Sequence, residues 1–119
     1  MVLMLLDMFI KGMITMARAL IKAGICGFTT EIIATSHDSE TASLTVNSEC
    51  PNYKKLGDEL KEIDAITSLF GKIGTDEVYK VCAKHCRHAA CPVPCGILKT
   101  VEVACGLALP KDIIIKIEA

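Results

Sequence analysis

Over the first 22 residues the apolar positions Leu3, Leu6, Ile10, Met13, Ala17 and Leu20 recur at intervals of three and four. The charges at Asp7, Lys11, Arg18 and Lys22 share the other side, so the spacing predicts an amphipathic N-terminal helix over 1–22. Those four charges break the run before it reaches the roughly 20 apolar residues that a span requires, so no transmembrane segment is expected. A helix of this kind packs on its own domain or on its counterpart in a second subunit, and a homodimer through it is the expected association. Only three basic residues line its polar side, which argues against a membrane-surface role. Met13 and Met16 are alternative starts, in which case residues 1–12 are not part of the native protein.

Further on the period shortens to two. Cys26, Phe28, Ile32 and Ala34 alternate with polar or small residues, as do Ala42, Leu44 and Val46, which predicts strands over 25–35 and 41–47. The polar stretch Ser36-His37-Asp38-Ser39-Glu40 joins them as an antiparallel hairpin. With the turn centred on Asp38, facing residue numbers sum to 76, which sets Cys26 opposite Cys50 at the open end. Pro51 suits the first position of a helix that starts on Cys50 and carries Tyr53, Leu56, Leu60 and Ile63, with a bend near Asp64 and a stop at Gly71. Thr75 is the expected cap of a further helix bearing Val78, Val81, Cys82 and Cys86, which Pro92 and Pro94 interrupt. A last helix is expected from Cys95 to Leu107, and Ile113, Ile115 and Ile117 predict a closing strand over 112–118. The fold class is α+β: residues 23–119 form a single cysteine-rich domain, a small antiparallel sheet with helices packed on one face.

The composition narrows the function. In 119 residues, 51% hydrophobic and 23% charged, there is enough apolar material for a packed core and no disordered or collagen-like bias. A net charge of -1, with no lysine or arginine block, argues against nucleic acid. The seven cysteines are an odd number and no basic segment precedes the first apolar run, so a secreted disulfide scaffold fits poorly. A cytoplasmic setting with free or metal-bound thiolates is expected.

Chemistry is densest in KHCRHAACPVPCG, residues 84–96, with three cysteines and two histidines. Cys91 and Cys50 each stand immediately before a proline at a helix entrance, where backbone N–H groups steady a thiolate. With Cys26 across the hairpin and Cys86 on a helix, they make a convergent set of four: Cys26, Cys50, Cys86 and Cys91. Four thiolates are what an iron-sulfur cluster of the 4Fe-4S type, or alternatively a structural zinc, requires. Cys82, Cys95, His85 and His88 are possible additional ligands or supports of that site, while Cys105 belongs to the apolar stripe of the last helix. The spacing contains neither the C-x-x-C knuckle of zinc ribbons nor the cysteine run of bacterial ferredoxins. The expected function is therefore metal binding with an electron-transfer or cluster-carrier role. Its alternatives are thiol or persulfide sulfur transfer through Cys91, and a structural-zinc or metal-free interaction module. No serine-centred nucleophile motif, phosphate-binding glycine loop or HExxH helix supports hydrolysis, and Asp58, Glu59 and Glu62 beside Lys54, Lys55 and Lys61 read as a solvated face.

The stretches GICGF at 24–28, SECPN at 48–52 and HAACPVP at 88–94, with the tail GLALPKDIIIKIE, resemble a family of small cysteine-containing proteins of anaerobic bacteria and methanogens. The resemblance covers residue 23 to the end. It implies an anaerobic, cytoplasmic setting and carries over Cys26, Cys50 and Cys91, leaving out Cys82, Cys95 and Cys105; it assigns no reaction. Cys91-Pro92-Val93-Pro94 is also similar to the CPxP motif of the TusA-like sulfur carriers, whose cysteine at a helix entrance holds a persulfide; a redox or sulfur-transfer protein is the expected kind of partner, its identity open. Here the motif follows a helix bearing Cys82 and Cys86, whereas in those carriers it follows a strand near the start of a shorter domain.

Overall fold

A computed structural model describes residues 15–119. Strand β1 (Thr15–Lys22) leads through a turn into β2 (Thr29–Ser36), and β2 through a second turn into β3 (Thr41–Ser48). A 3-10 turn (Pro51–Tyr53) and the one-turn helix α1 (Leu56–Glu59) precede a short strand β4 (Glu62–Asp64) and helix α2 (Ala65–Leu69). Helices α3 (Glu77–His85) and α4 (Val93–Ala104) follow. The four strands form one antiparallel sheet in the order β1-β2-β3-β4, so the protein is α+β.

One face of that sheet makes the core. Ala17, Ala19 and Ile21 of β1, Thr30, Ile32, Ala34 and Ser36 of β2, and Ala42 and Leu44 of β3 all point to it by the register. Helix α4 lies across β1 and β2 on this side, burying Val93, Pro94, Ile97, Thr100, Val101 and Ala104, while α1 packs under β3. Each fully buried Ile, Leu or Val contributes about 1.5–3 kcal/mol by leaving water, and Ile32, Leu56, Leu60, Ile63, Ile97 and Val101 are all at 0% exposure. The opposite face is open, with Met16 and Leu20 exposed on it and the Arg18 guanidinium paired to Glu31.

The N-terminal helix expected over 1–22 is corrected within its described part. Thr15–Lys22 is a strand, and residues 1–14 lie outside the described residues, as do the remaining positions of a helix-mediated dimer. The segment TMARALIK satisfies both periods, since Ala17 and Leu20 fit a helix while Ala17, Ala19 and Ile21 alternate with Met16, Arg18, Leu20 and Lys22. Tertiary context decides: alternation lets β1 pair along all of β2 and present its small residues to α4. Gly24 (φ 99°) and Gly27 (φ 77°) supply the left-handed backbone of the turn between them.

The second hairpin forms with a shifted register. Facing numbers sum to 78, as in Ile32 opposite Val46, because the turn centres on Ser39 (φ 61°). The Asp38 carboxylate accepts from the N–H groups of Glu40 (2.9 Å) and Thr41 (2.7 Å), an Asx turn that moves the centre by one residue. Cys26 therefore does not face Cys50 across the ladder; it lies in the β1–β2 turn, exposed.

Beyond Cys50 the expected long helix is two short pieces, and β4 replaces its continuation. Ile63 faces Ala42 in the register and is fully buried, so three residues of strand seal the edge of the core. Asp64 then caps α2, accepting from Ile66 and Thr67. Asp76 rather than Thr75 caps α3, which ends at His85, leaving Cys86 extended. Pro92 and Pro94 begin α4 instead of interrupting a helix, since neither first-turn position needs its N–H. Gly106 (φ 72°) closes α4, with Leu107 N–H donating to the Glu102 carbonyl and Gly106 N–H to that of Val103. The closing strand expected over 112–118 is not formed: the segment pairs with no strand among the described residues, and a strand's backbone groups need a neighbour.

Candidate thiol site

The site is built outward from β3. Thr30 and Ser48, facing each other across the hairpin, share a hydroxyl hydrogen bond of 2.7 Å, and the Ser48 Oγ accepts from the Cys50 N–H at 3.1 Å. That fixes the chain as it leaves the sheet. Pro51 starts the 3-10 turn, whose Tyr53 N–H donates to the Cys50 carbonyl at 3.0 Å. The turn points the Tyr53 ring into the core, where the residue is 2% exposed. A buried tyrosine hydroxyl needs a partner, and here it donates to the Sγ of Cys91 at 3.3 Å.

Two more thiols stand near that hydroxyl. Burial first, then the Cys86 and Cys91 thiols beside it, push the Tyr53 phenol up, so it remains protonated and a donor at any ordinary pH. Cys82, on the buried face of α3, is pushed up to about 12 by burial and then by the neighbouring Cys91 and Cys86. It stays a neutral thiol, buried at 2% exposure, while Cys86 and Cys91 are half-buried. The loop between those two is closed on one carbonyl: His88 accepts from the Cys91 N–H at 3.0 Å and from the Cys86 thiol at 4.0 Å. Cys91 lies one residue before Pro92, the cap of α4.

Of the residues singled out in the sequence, Cys82, Cys86 and Cys91 thus gather around one phenol. Cys50 heads the turn that carries that phenol. Cys26 is exposed in its turn, yet belongs to the same end of the sheet, since Thr29 and Glu49 are joined by two hydrogen bonds (2.8 and 3.0 Å). The first turn of α4 reaches this end too, for Gly96 is pressed against the Ile21 side chain near the end of β1. Cys95 is exposed on α4 and lines a shallow cavity with Tyr79, Lys72 and Lys99. Cys105 is buried at the far end of the sheet, where burial raises its thiol and the Ser36 hydroxyl opposes the rise. His85 Nε2 is hydrogen-bonded to the Glu59 carboxylate at 2.8 Å, and this contact, with Lys84, keeps Glu59 below the usual carboxylate range. His88 is exposed. Among the described residues, no group of three or more His, Cys, Asp or Glu side chains is arranged to hold a metal ion. No helix among them is long and apolar enough to cross a membrane.

Tyr53 is the member of this cluster to which the sequence reading gives no chemistry. Its place on an apolar helical stripe hid it as core, but a core tyrosine carries a hydroxyl that must be satisfied, and the nearest chemistry in the sequence was cysteine.

Comparison with known proteins places the chain without assigning it a reaction. A family model described as a family of unknown function, DUF6951, matches residues 17–117. No curated protein and no solved structure matches the chain.

Proposed function

We propose that this chain, which belongs to the DUF6951 family of unknown function, carries out thiol chemistry at Cys91, as a persulfide or disulfide sulfur-transfer protein. The observation that carries this reading is the hydrogen bond from the buried Tyr53 hydroxyl to the Cys91 sulfur, with Cys86 at hand. A phenol that keeps its proton is a permanent donor to the Cys91 sulfur and orients it, and the thiolate of such a cysteine is the nucleophile. Cys91 thiolate attacks the outer sulfur of a persulfide donor, R–S–SH; the S–S bond breaks, and the donor leaves as its thiol, with Cys91–S–SH formed. An acceptor nucleophile can take that outer sulfur. Without one, Cys86 thiolate attacks the inner sulfur, expelling hydrosulfide and closing a Cys86–Cys91 disulfide. Similarity of the CPVP stretch to the sulfur carriers supports the same reading.

The test is mass spectrometry of metal-free protein after exposure to a small persulfide donor. A gain of one sulfur on the peptide holding Cys91, absent in Cys91→Ser and longer-lived in Cys86→Ala, is expected. Modification spread evenly over the exposed Cys26 and Cys95 instead would remove the case for a dedicated site.

A second reading is supported by the shared end of the sheet at which Cys26, Cys50 and Cys91 fall. On it, Cys26, Cys50, Cys86 and Cys91 hold an iron-sulfur cluster, or zinc. The side chains as arranged do not group for a metal, so the reading needs the Cys26 turn to close over the site. Metal and acid-labile sulfide analysis of protein purified without oxygen separates the two: brown protein with stoichiometric iron and sulfide supports the cluster, and colourless, metal-free protein supports thiol transfer.

A further inference from the structure

The last nine residues, KDIIIKIEA, carry four isoleucines, and every one is exposed: Ile113 54%, Ile114 85%, Ile115 74% and Ile117 88%. Consecutive β-branched residues are strand formers, and strands need a neighbour for their N–H and C=O groups. The segment has none among the described residues and stands clear of its own sheet. At the same time the described sheet is unfinished on one side. Its β4 border is three residues long, whereas its β1 border is a full eight-residue strand with nothing described beyond it. Although Ala19 and Ile21 face the core side, both are only half-covered, while Ile32 and Ala34 beside them on β2 are at 0%. Among the described residues, the core is therefore open along β1.

We propose that the C-terminal segment 111–118 adds as a fifth strand to the β1 edge of a second copy of this chain, and that the exchange is reciprocal. The two elements match in length and in pattern. Placed on the core side, Ile113, Ile115 and Ile117 continue the row of Ala17, Ala19 and Ile21 and cover it. The alternate positions Asp112, Ile114, Lys116 and Glu118 then share the outer face with Met16, Arg18, Leu20 and Lys22. There Ile114 joins Met16 (65% exposed) and Leu20 (54% exposed), and the acids Asp112 and Glu118 share the row with the bases Arg18, Lys22 and Lys116. An exposed eight-residue edge invites such pairing, and main-chain hydrogen bonds supply it. A stable interface buries about 1,200 Å² or more, which sets the area that the two exchanged strands have to cover. The self-complementary arrangement closes as a two-fold dimer, with no third copy recruited.

The full chain should sediment as a dimer, with slowed amide exchange along 112–118. Ile115→Pro removes a ladder N–H, and Ile115→Asp puts a charge on the covered face. Each should halve the mass while leaving the far-ultraviolet circular dichroism of the domain unchanged. A full chain that stays monomeric at high micromolar concentration overturns the proposal, as does a dimer that survives both substitutions. Protected tail amides in a monomer would mean the segment folds back on its own β1, which also overturns it.

Discussion

Replacing Tyr53 with phenylalanine deletes one atom group and keeps the buried ring. The hydroxyl donates to Cys91 at 3.3 Å in a region that excludes water, so its removal leaves the thiol without that donor. A neutral hydrogen bond contributes about 0.5–1.5 kcal/mol net, and one to sulfur about 1 kcal/mol at most. For a domain of this size that lowers Tm by about 4 °C. Tyr53→Ala, which also empties the ring's volume, should cost about 3–5 kcal/mol. Without the donor that orients its sulfur, Cys91 should be alkylated more slowly at neutral pH in Tyr53→Phe. The assay is timed iodoacetamide labelling read by peptide mass spectrometry, with the exposed Cys95 as internal reference. Combining Tyr53→Phe with Cys91→Ala should reveal a coupling of about 0.5–1 kcal/mol. An unchanged Cys91 rate together with a coupling under about 0.3 kcal/mol would refute the reasoning, because the two groups would then be neighbours without an energetic link.

Three further outcomes follow from the packing and charge. In Gly96→Ala the new Cβ would stand 2.8 Å from the Ile21 Cγ1 and closer still to its Cδ1. Overpacking costs about 1–3 kcal/mol against a helix gain of about 1 kcal/mol, so a net loss of about 1 kcal/mol by urea unfolding is expected, recovered by adding Ile21→Val. Asp38 is held below its ordinary 3.8 by the Thr41 and Glu40 N–H groups, so the turn's stabilisation is complete above that value and is lost as pH falls through the depressed one. Acid titration of Asp38→Ala should lack that component. Cys82 is raised from 9.0 to about 12, so its contribution is intact below 9 and disappears as pH rises towards 12. Native-state labelling at mildly alkaline pH should leave Cys82 unmodified while Cys26 and Cys95 react.

The sequence by itself determined the class of elements wherever one period ruled: alternation through Ile32 and Ala34 and through Ala42 and Leu44 could only be half-buried strands, and the Cys91-Pro92-Val93-Pro94 stretch marked a helix entrance. It also showed that cysteine and histidine are densest in segment 84–96. It did not separate helix from strand in Thr15–Lys22, because eight residues hold too few repeats to distinguish a period of 3.6 from one of 2 when Ala17 and Leu20 serve both. Which applies depends on β2 being there to pair. The register was misplaced for a similarly local reason, since whether a five-residue turn centres on Asp38 or Ser39 rests on where the Asp38 carboxylate finds its N–H partners. Only the tertiary structure chose among the seven cysteines. It set Cys82, Cys86 and Cys91 around Tyr53, left Cys26 and Cys95 in solvent and sent Cys105 to the far end of the sheet. The meeting of these sulfurs with a phenol 38 residues before Cys91 is a property of how α3, α4 and the turn after β3 pack on one another, and no spacing in the chain encodes it.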